Sequence, residues 1–316
     1  MKKHPELTVI ITFLNEGSEV YHTVKNIRET SDIEVNIILI NDASTDGYNY
    51  KSVSEEFGTH YISHAERKGV AASRDEGIEL CSTKYFLLLD AHMRFFQNDW
   101  VSILLGILEN NPTTLFCCQT VNMEIGENGE VISLKNQTKT YGAYIYFDDN
   151  QALVTKWDKT DPDPNEPIVD IACVLGASYT TNKKYWQYLR GLEGLRSYGA
   201  DEELISLKVW LEGGKCQLIK SITVGHLYRT DMPYATLDTD FLYNRLYIAE
   251  LFLSKEEKYQ VFKSVDKLNT QFYKEAVKLL SENRALLKEQ KEYYKQIFKK
   301  DIKDVLAQNK FLQNRN

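Results

Sequence analysis

Four short apolar segments near the start of the chain each run into polar residues, and the stretches between them carry helical spacing. Leu7–Phe13, Val35–Ile40, Thr59–Ser63 and Tyr85–Leu89 are apolar or β-branched runs of strand length. Between the first two, Val20, Val24 and Ile27 recur as one face of a helix. This alternation predicts an α/β fold, a Rossmann-like, mostly parallel sheet flanked by helices. In such sheets ligands sit in the crevice beyond the carboxyl ends of the strands. Asn15-Glu16, Asn41-Asp42 and Asp90-Ala91-His92 follow three of these strands and fall in that crevice.

The later sequence changes character. Trp100–Glu109 reads as a helix, and Pro162, Pro164 and Pro167 make Asp161–Pro167 an exposed loop. A helical run from Asp201 to Leu211 stops at Gly213-Gly214. Neither Gly nor Pro occurs after Pro233, and the apolar spacing over 240–310 predicts two or three amphipathic helices. The expected organisation is a domain over 1–254 with a helical appendage over 255–316. From residue 255 on, 15 Lys/Arg face 9 Asp/Glu, a net of +6. The rest carries 23 basic against 36 acidic residues, a net of −13. An acidic core disfavours nucleic acid as a partner. The basic tail is expected to pack on that core, on a second copy of the chain, or against a membrane surface. No apolar stretch is long enough to span a bilayer. Met1-Lys2-Lys3 leads into a short apolar run without a cleavage site, which reads as a first strand and points to the cytoplasm, with peripheral membrane contact as an addition. Five cysteines without a Cys-x-x-Cys pair fit reduced, mostly buried thiols.

Asp90 and His92 offer a carboxylate and an imidazole just past a strand, and His226 is a third candidate ligand. A mixed oxygen and imidazole set favours Mn²⁺, with Mg²⁺ as a substitute. Asp42, in the turn-rich Asn41–Gly47 stretch, reads either as a polar turn residue or as an acceptor for a nucleoside. Arg67 and Arg74 read as base or phosphate contacts, or as solvated surface charge.

Together these residues carry a resemblance. Val9–Glu16, Asn41–Gly47, Arg67–Arg74 and Leu87–His92 resemble, in order and spacing, the nucleotide-binding half of GT-A glycosyltransferases. Gly176-Ala177, Lys184–Trp186, Tyr198–Glu203, Val209-Trp210, Gly213-Gly214, Val224–Arg229 and Pro233-Tyr234 are similar to the catalytic domain of polypeptide N-acetylgalactosaminyltransferases. The resemblance covers roughly residues 6–252. It implies that Asp90, His92 and His226 bind Mn²⁺, that Thr12, Phe13, Asn15, Glu16 and Asp42 hold a uridine nucleotide, and that Arg229 lies near the diphosphate. It also implies that Gly176 and Ala177 line the sugar pocket. Ala200-Asp201-Glu202 departs from the Gly-Glu-Asn of that family and resembles the Glu-Asp element of inverting transferases. Asp201 is then the first choice for a general base and Glu202 the second, with helix capping as the structural alternative. The implied activity is transfer of a sugar from a nucleotide diphosphate donor to an acceptor glycan or glycolipid, or alternatively to protein Ser/Thr.

Two other readings compete. A nicotinamide-dependent enzyme requires Gly-x-Gly-x-x-Gly after the first strand, and Thr12–Gly17 lacks it. A catalytically silent nucleotide-sugar-binding or scaffold protein would not need a full set of candidate ligands and base.

Overall fold

The computed structural model describes residues 5–126, 128–147, 153–229, 233–268 and 270–313. The strand–helix alternation runs β1 (Leu7–Phe13), α1 (Glu19–Thr30), β2 (Asn36–Asn41), α2 (Tyr50–Phe57), β3 (His60–Ser63), α3 (Val70–Leu80) and β4 (Tyr85–Leu89). The four strands are parallel, in the order β3-β2-β1-β4. β1 and β4 are buried nearly throughout, as expected of strands covered on both faces. α1 packs through Val20, Thr23, Val24 and Ile27. α3 lies so close to the sheet that a Cβ on Gly77 would come 2.4 Å from Ile10 Cγ2. The chain steps twice to one side of β1 and then crosses to the other, which opens the crevice between the ends of β1 and β4.

Beyond β4 come β5 (Met93–Phe95), α4 (Trp100–Glu109), β6 (Thr114–Ile125), β7 (Val131–Lys139), and the hairpin of β8 (Ala143–Phe147) and β9 (Leu153–Trp157). β10 (Ile168–Asp170), β11 (Ser178–Asn182), α5 (Lys183–Tyr188), α6 (Asp201–Glu212) and β12 (Lys215–His226) follow. They extend the sheet as β4-β11-β6-β12-β10. β11 is antiparallel to both neighbours and β12 parallel to β6, so the sheet is parallel on its first side and mixed on its second. Asp161–Pro167 is an irregular loop tied to β12 by Lys220. α6 stops at Gly213, whose φ of 99° suits glycine.

The C-terminal region departs from the sequence expectation. Instead of two or three helices, its described residues form five helical segments: α7 (Asp238–Phe252), α8 (Lys255–Leu268), α9 (Thr270–Glu282), α10 (Arg284–Ile297) and α11 (Ile302–Gln313). The extra breaks need no Gly or Pro. Ser254 and Glu257 form a reciprocal cap, Ser254 N donating to Glu257 Oε2 and Glu257 N to Ser254 Oγ. Asp301 Oδ1 caps the start of α11 through Lys303 N. Val261, Val265, Ala276, Leu287, Ile302 and Val305 belong to the same apolar cluster as Ile10, Phe86 and Leu204. Backbone N–H groups of Lys299 and Lys300 donate to Leu211 O at the end of α6, and Ile145 N in β8 donates to Asn309 Oδ1. All five cysteines are buried and free. No helix among the described residues is long and apolar enough to cross a membrane.

Candidate active site

Asp90 stands at the end of β4, His92 two residues on, and His226 at the last position of β12. Pairing of β12 with β5, His226 opposite Met93, carries the distant histidine to the crevice. One ligand atom from each of the three residues lies within 4.8 Å of the other two. The two Nε2 atoms are 3.1 Å apart, and His226 Nε2 is 3.5 Å from Asp90 Oδ2. His92 Nδ1 lies 3.1 Å from Glu16 Oε2. That carboxylate fixes the ring and turns Nε2 toward the site, the usual arrangement behind a metal-bound imidazole. Burial lowers the pKa of His226, with His92 and Arg229 adding to the effect and Asp90 opposing it, so the ring favours the neutral form a metal ligand needs. Burial alone would raise Asp90, but the hydrogen bond from His226 and the charges of Arg74 and His92 outweigh it and hold Asp90 at about 2. The donor set therefore fits a divalent cation.

The flank toward β1 and β2 is built from the first two strand ends. Thr12, Phe13, Glu16, Asp42, Arg67 and Arg229 all line a cavity of about 310 Å³. Asn15 does not line it. With φ at +57°, Asn15 instead braces two loops, accepting from Thr45 N at 2.7 Å and donating to Pro233 O at 3.3 Å. Arg229 Nη2 lies 2.7 Å from the same Glu16 oxygen that meets His92. Glu16 thus stands behind both His92 and Arg229. Arg67 donates to Ala235 O and its guanidinium sits 5.2 Å over the Tyr234 ring.

On the other flank Arg74 is buried and surrounded by acceptors. It donates to Asp90 Oδ1 and Gly176 O, each at 3.0 Å, and pairs with Asp201. Its place is between the two carboxylates, not on a solvated surface. Ala200, at φ +67°, directs the start of α6 so that Asp201 and Glu202 face the cavity. A Cβ on Gly176 would fall 1.8 Å from Glu202 Oε1, so a side chain there would have to displace that carboxyl. Burial, then the neighbouring Asp201, push Glu202 well above the ordinary glutamate range. Ala177 lines the cavity, and its carbonyl accepts from Asp90 N at 3.0 Å.

Residues to which the sequence analysis gave no site role complete the wall. Tyr228 sits edge-on to His226 with centroids 4.2 Å apart, and Trp157, at the end of β9, approaches Tyr228 at 5.3 Å. Tyr198 and Tyr234 close the opposite side. Tyr228 and Tyr234 lie within a few residues of His226 and could have been suspected. Trp157 gave no signal, because nothing local says that its hairpin folds over the cavity.

Strand order, switch point and ligand-lined crevice together define a GT-A fold. Residues 8–161 of the chain match the model of glycosyl transferase family 2. Polypeptide N-acetylgalactosaminyltransferase 14 of Homo sapiens is 24% identical over 271 residues, covering 81% of this chain and 47% of the relative. The Bos taurus polypeptide N-acetylgalactosaminyltransferase 6 is 26% identical over 249 residues, covering 73% and 38%. The chain thus spans less than half the length of these relatives. Among solved structures, GalNAc-T7 with UDP, GalNAc and Mn²⁺ superposes with a TM-score of 0.72 at 19% identity, covering 98% of this chain and 57% of that one. S. aureus TarS in complex with UDP-GlcNAc gives 0.52 at 11%, covering 98% and 92%.

Proposed function

We propose that this chain is a metal-dependent glycosyltransferase that moves a sugar from a nucleoside diphosphate, a uridine nucleotide by preference, to an acceptor hydroxyl. The observation that carries the reading is the convergence of Asp90, His92 and His226 beside Arg229 at the switch point of the sheet. The family 2 match and the named activity of the relatives support it. A bound divalent cation, Mn²⁺ with Mg²⁺ as a substitute, supplies charge compensation for a departing diphosphate. Asp90, His92 and His226 hold it, and Glu16 orients His92. Arg229 adds a positive charge for the diphosphate, while Thr12, Phe13, Asp42 and Arg67 receive the nucleoside. Gly176 and Ala177 let the sugar approach the backbone. Asp201, anchored by Arg74, takes the proton of the acceptor hydroxyl. Glu202, beside Asp201, is the second candidate for the base. The acceptor is a glycan or glycolipid, with protein Ser/Thr as the alternative, and the location is cytoplasmic. A screen of nucleotide sugars for Mn²⁺-dependent release of the nucleotide tests the reading. Release from a UDP-sugar, abolished by chelator, is expected. Undiminished release in chelator would overturn it.

A further inference from the structure

We propose that His64 is the positioning residue of the nucleoside subsite: clamped between two carboxylates, it fixes Asp42 in the orientation that meets the nucleotide. The inference rests on the nucleotide-binding reading above. His64 follows directly on β3 and its side chain is only 3% exposed. Its Nδ1 lies 2.8 Å from Asp42 Oδ1 and its Nε2 3.0 Å from Glu76 Oε2. Each ring nitrogen therefore faces a carboxylate oxygen at hydrogen-bond distance.

Other donors meet both carboxylates. Asp42 Oδ1 also accepts from Lys68 N, and Oδ2 from Gly69 N, each at 2.8 Å. Glu76 Oε2 also accepts from Lys68 Nζ at 2.7 Å. Burial would raise Glu76, but Lys68 and His64 outweigh it and hold the carboxyl below its ordinary value. The result is a hydrogen-bonded chain from Asp42 through His64 and Glu76 to Lys68. It spans three elements, running from the end of β2 through the end of β3 to α3.

A carboxylate offers about four acceptor sites. At Asp42 three are taken by His64, Lys68 N and Gly69 N. One is left, and because Asp42 lines the cavity that site is available to an N–H or O–H of the nucleoside. Two of the three anchors are backbone groups of one segment, which act like a hinge. The third, from His64, stops rotation about it. Without His64 the remaining acceptor site loses its fixed direction.

Asparagine and glutamine separate this role from packing. At position 64 an Asn amide can place its N–H where Nδ1 stands, keeping the bond to Asp42. A Gln amide places its N–H where Nε2 stands, keeping only the bond to Glu76, although Gln is closer to His in size. Calorimetric titration of UDP with Mn²⁺ into the full chain is expected to give His64→Asn an affinity within about threefold of wild type and His64→Gln a loss of about tenfold. Affinity for Mn²⁺ alone should not change, and the loss should appear in the donor KM and not in kcat. Equal affinities of the two variants, or tighter binding by His64→Gln, would overturn the proposal while leaving UDP binding by the wild type, and so the functional reading, in place. No UDP binding by the wild type would remove both.

Discussion

Three residues meet at the crevice from distant parts of the chain, and Asp90 and His92 have different partners behind them, Arg74 and Glu16. Removing Asp90 or His226 takes a ligand atom away without touching the apolar cores, since both residues stand at the rim of the sheet. Asp90→Ala and His226→Ala should therefore lose Mn²⁺ binding by calorimetry while keeping wild-type circular dichroism. Glu16 acts one step further out, through His92 and Arg229. Glu16→Gln should weaken Mn²⁺ binding by about 10- to 100-fold, and an unchanged affinity would remove Glu16 from that role. Glu202 permits a sharper test. Glu202→Gln keeps a hydrogen-bonding group of the same shape and, with Asp201 as the base, should leave kcat within about tenfold of wild type. Were Glu202 the base, the same change should lower kcat by about 10²- to 10⁴-fold.

Helix α7 shows how an element outside the crevice shapes it. Asn244, fully buried, donates from Nδ2 to Arg196 O, Tyr198 O and Gly199 O, and accepts from Arg196 N. The loop it holds supplies Ser197, Tyr198 and Gly199 to the cavity wall. The same loop meets the start of α3, where Val70 N donates to Ser197 O at 2.8 Å. A Cβ on Gly69 would fall 2.4 Å from Ser197 Cα. Asn244→Ala leaves buried backbone groups without partners, at a cost of about 2–3 kcal/mol. The expected outcome is a lower thermal midpoint together with a raised donor KM. A lower midpoint with an unchanged KM would make α7 a support of the fold alone.

At the scale of the whole molecule, the helices after residue 254 share one apolar cluster with the sheet and join it through ion pairs, Lys299 with Glu212 and both Lys258 and Lys291 with Glu250. Truncation after Ser254 would expose that cluster. The truncated protein should aggregate in light scattering, and a soluble monomer that binds UDP would show the helices to be dispensable. The Glu250 pairs also set an acid limit. Burial raises Glu250, but Lys291 and Lys258 outweigh it and hold it below the ordinary value of 4.5. The folded-state value is thus depressed, so this stability is fully present above pH 4.5 and is lost as the pH falls through the folded-state value. Glu250→Gln should remove about 1 kcal/mol at neutral pH and flatten the acid limb of a denaturation series. An unchanged acid limb would deny the pairs this role.

What the sequence determined by itself was local. Periodicity marked β1 to β4 and the helices between them, glycine chemistry marked the end of α6, and polar residues after apolar runs marked Asp42, Asp90 and His92. Each follows from residue spacing and backbone preference within one element, which no distant contact needs to complete. The helix breaks at Ser254 and Asp301 were local as well, but they are written in capping side chains, and a search for Gly and Pro does not see them. Only the tertiary structure decided which of these groups meet. Strand order and register bring His226 within 3.5 Å of Asp90, set Arg74 between Asp90 and Asp201, and turn Asn15 away from the cavity into a loop brace. They also enclose His64 between Asp42 and Glu76, a place no local pattern announces. Such meetings depend on how the whole chain packs, because a side chain's surroundings come from strands and helices far away in sequence.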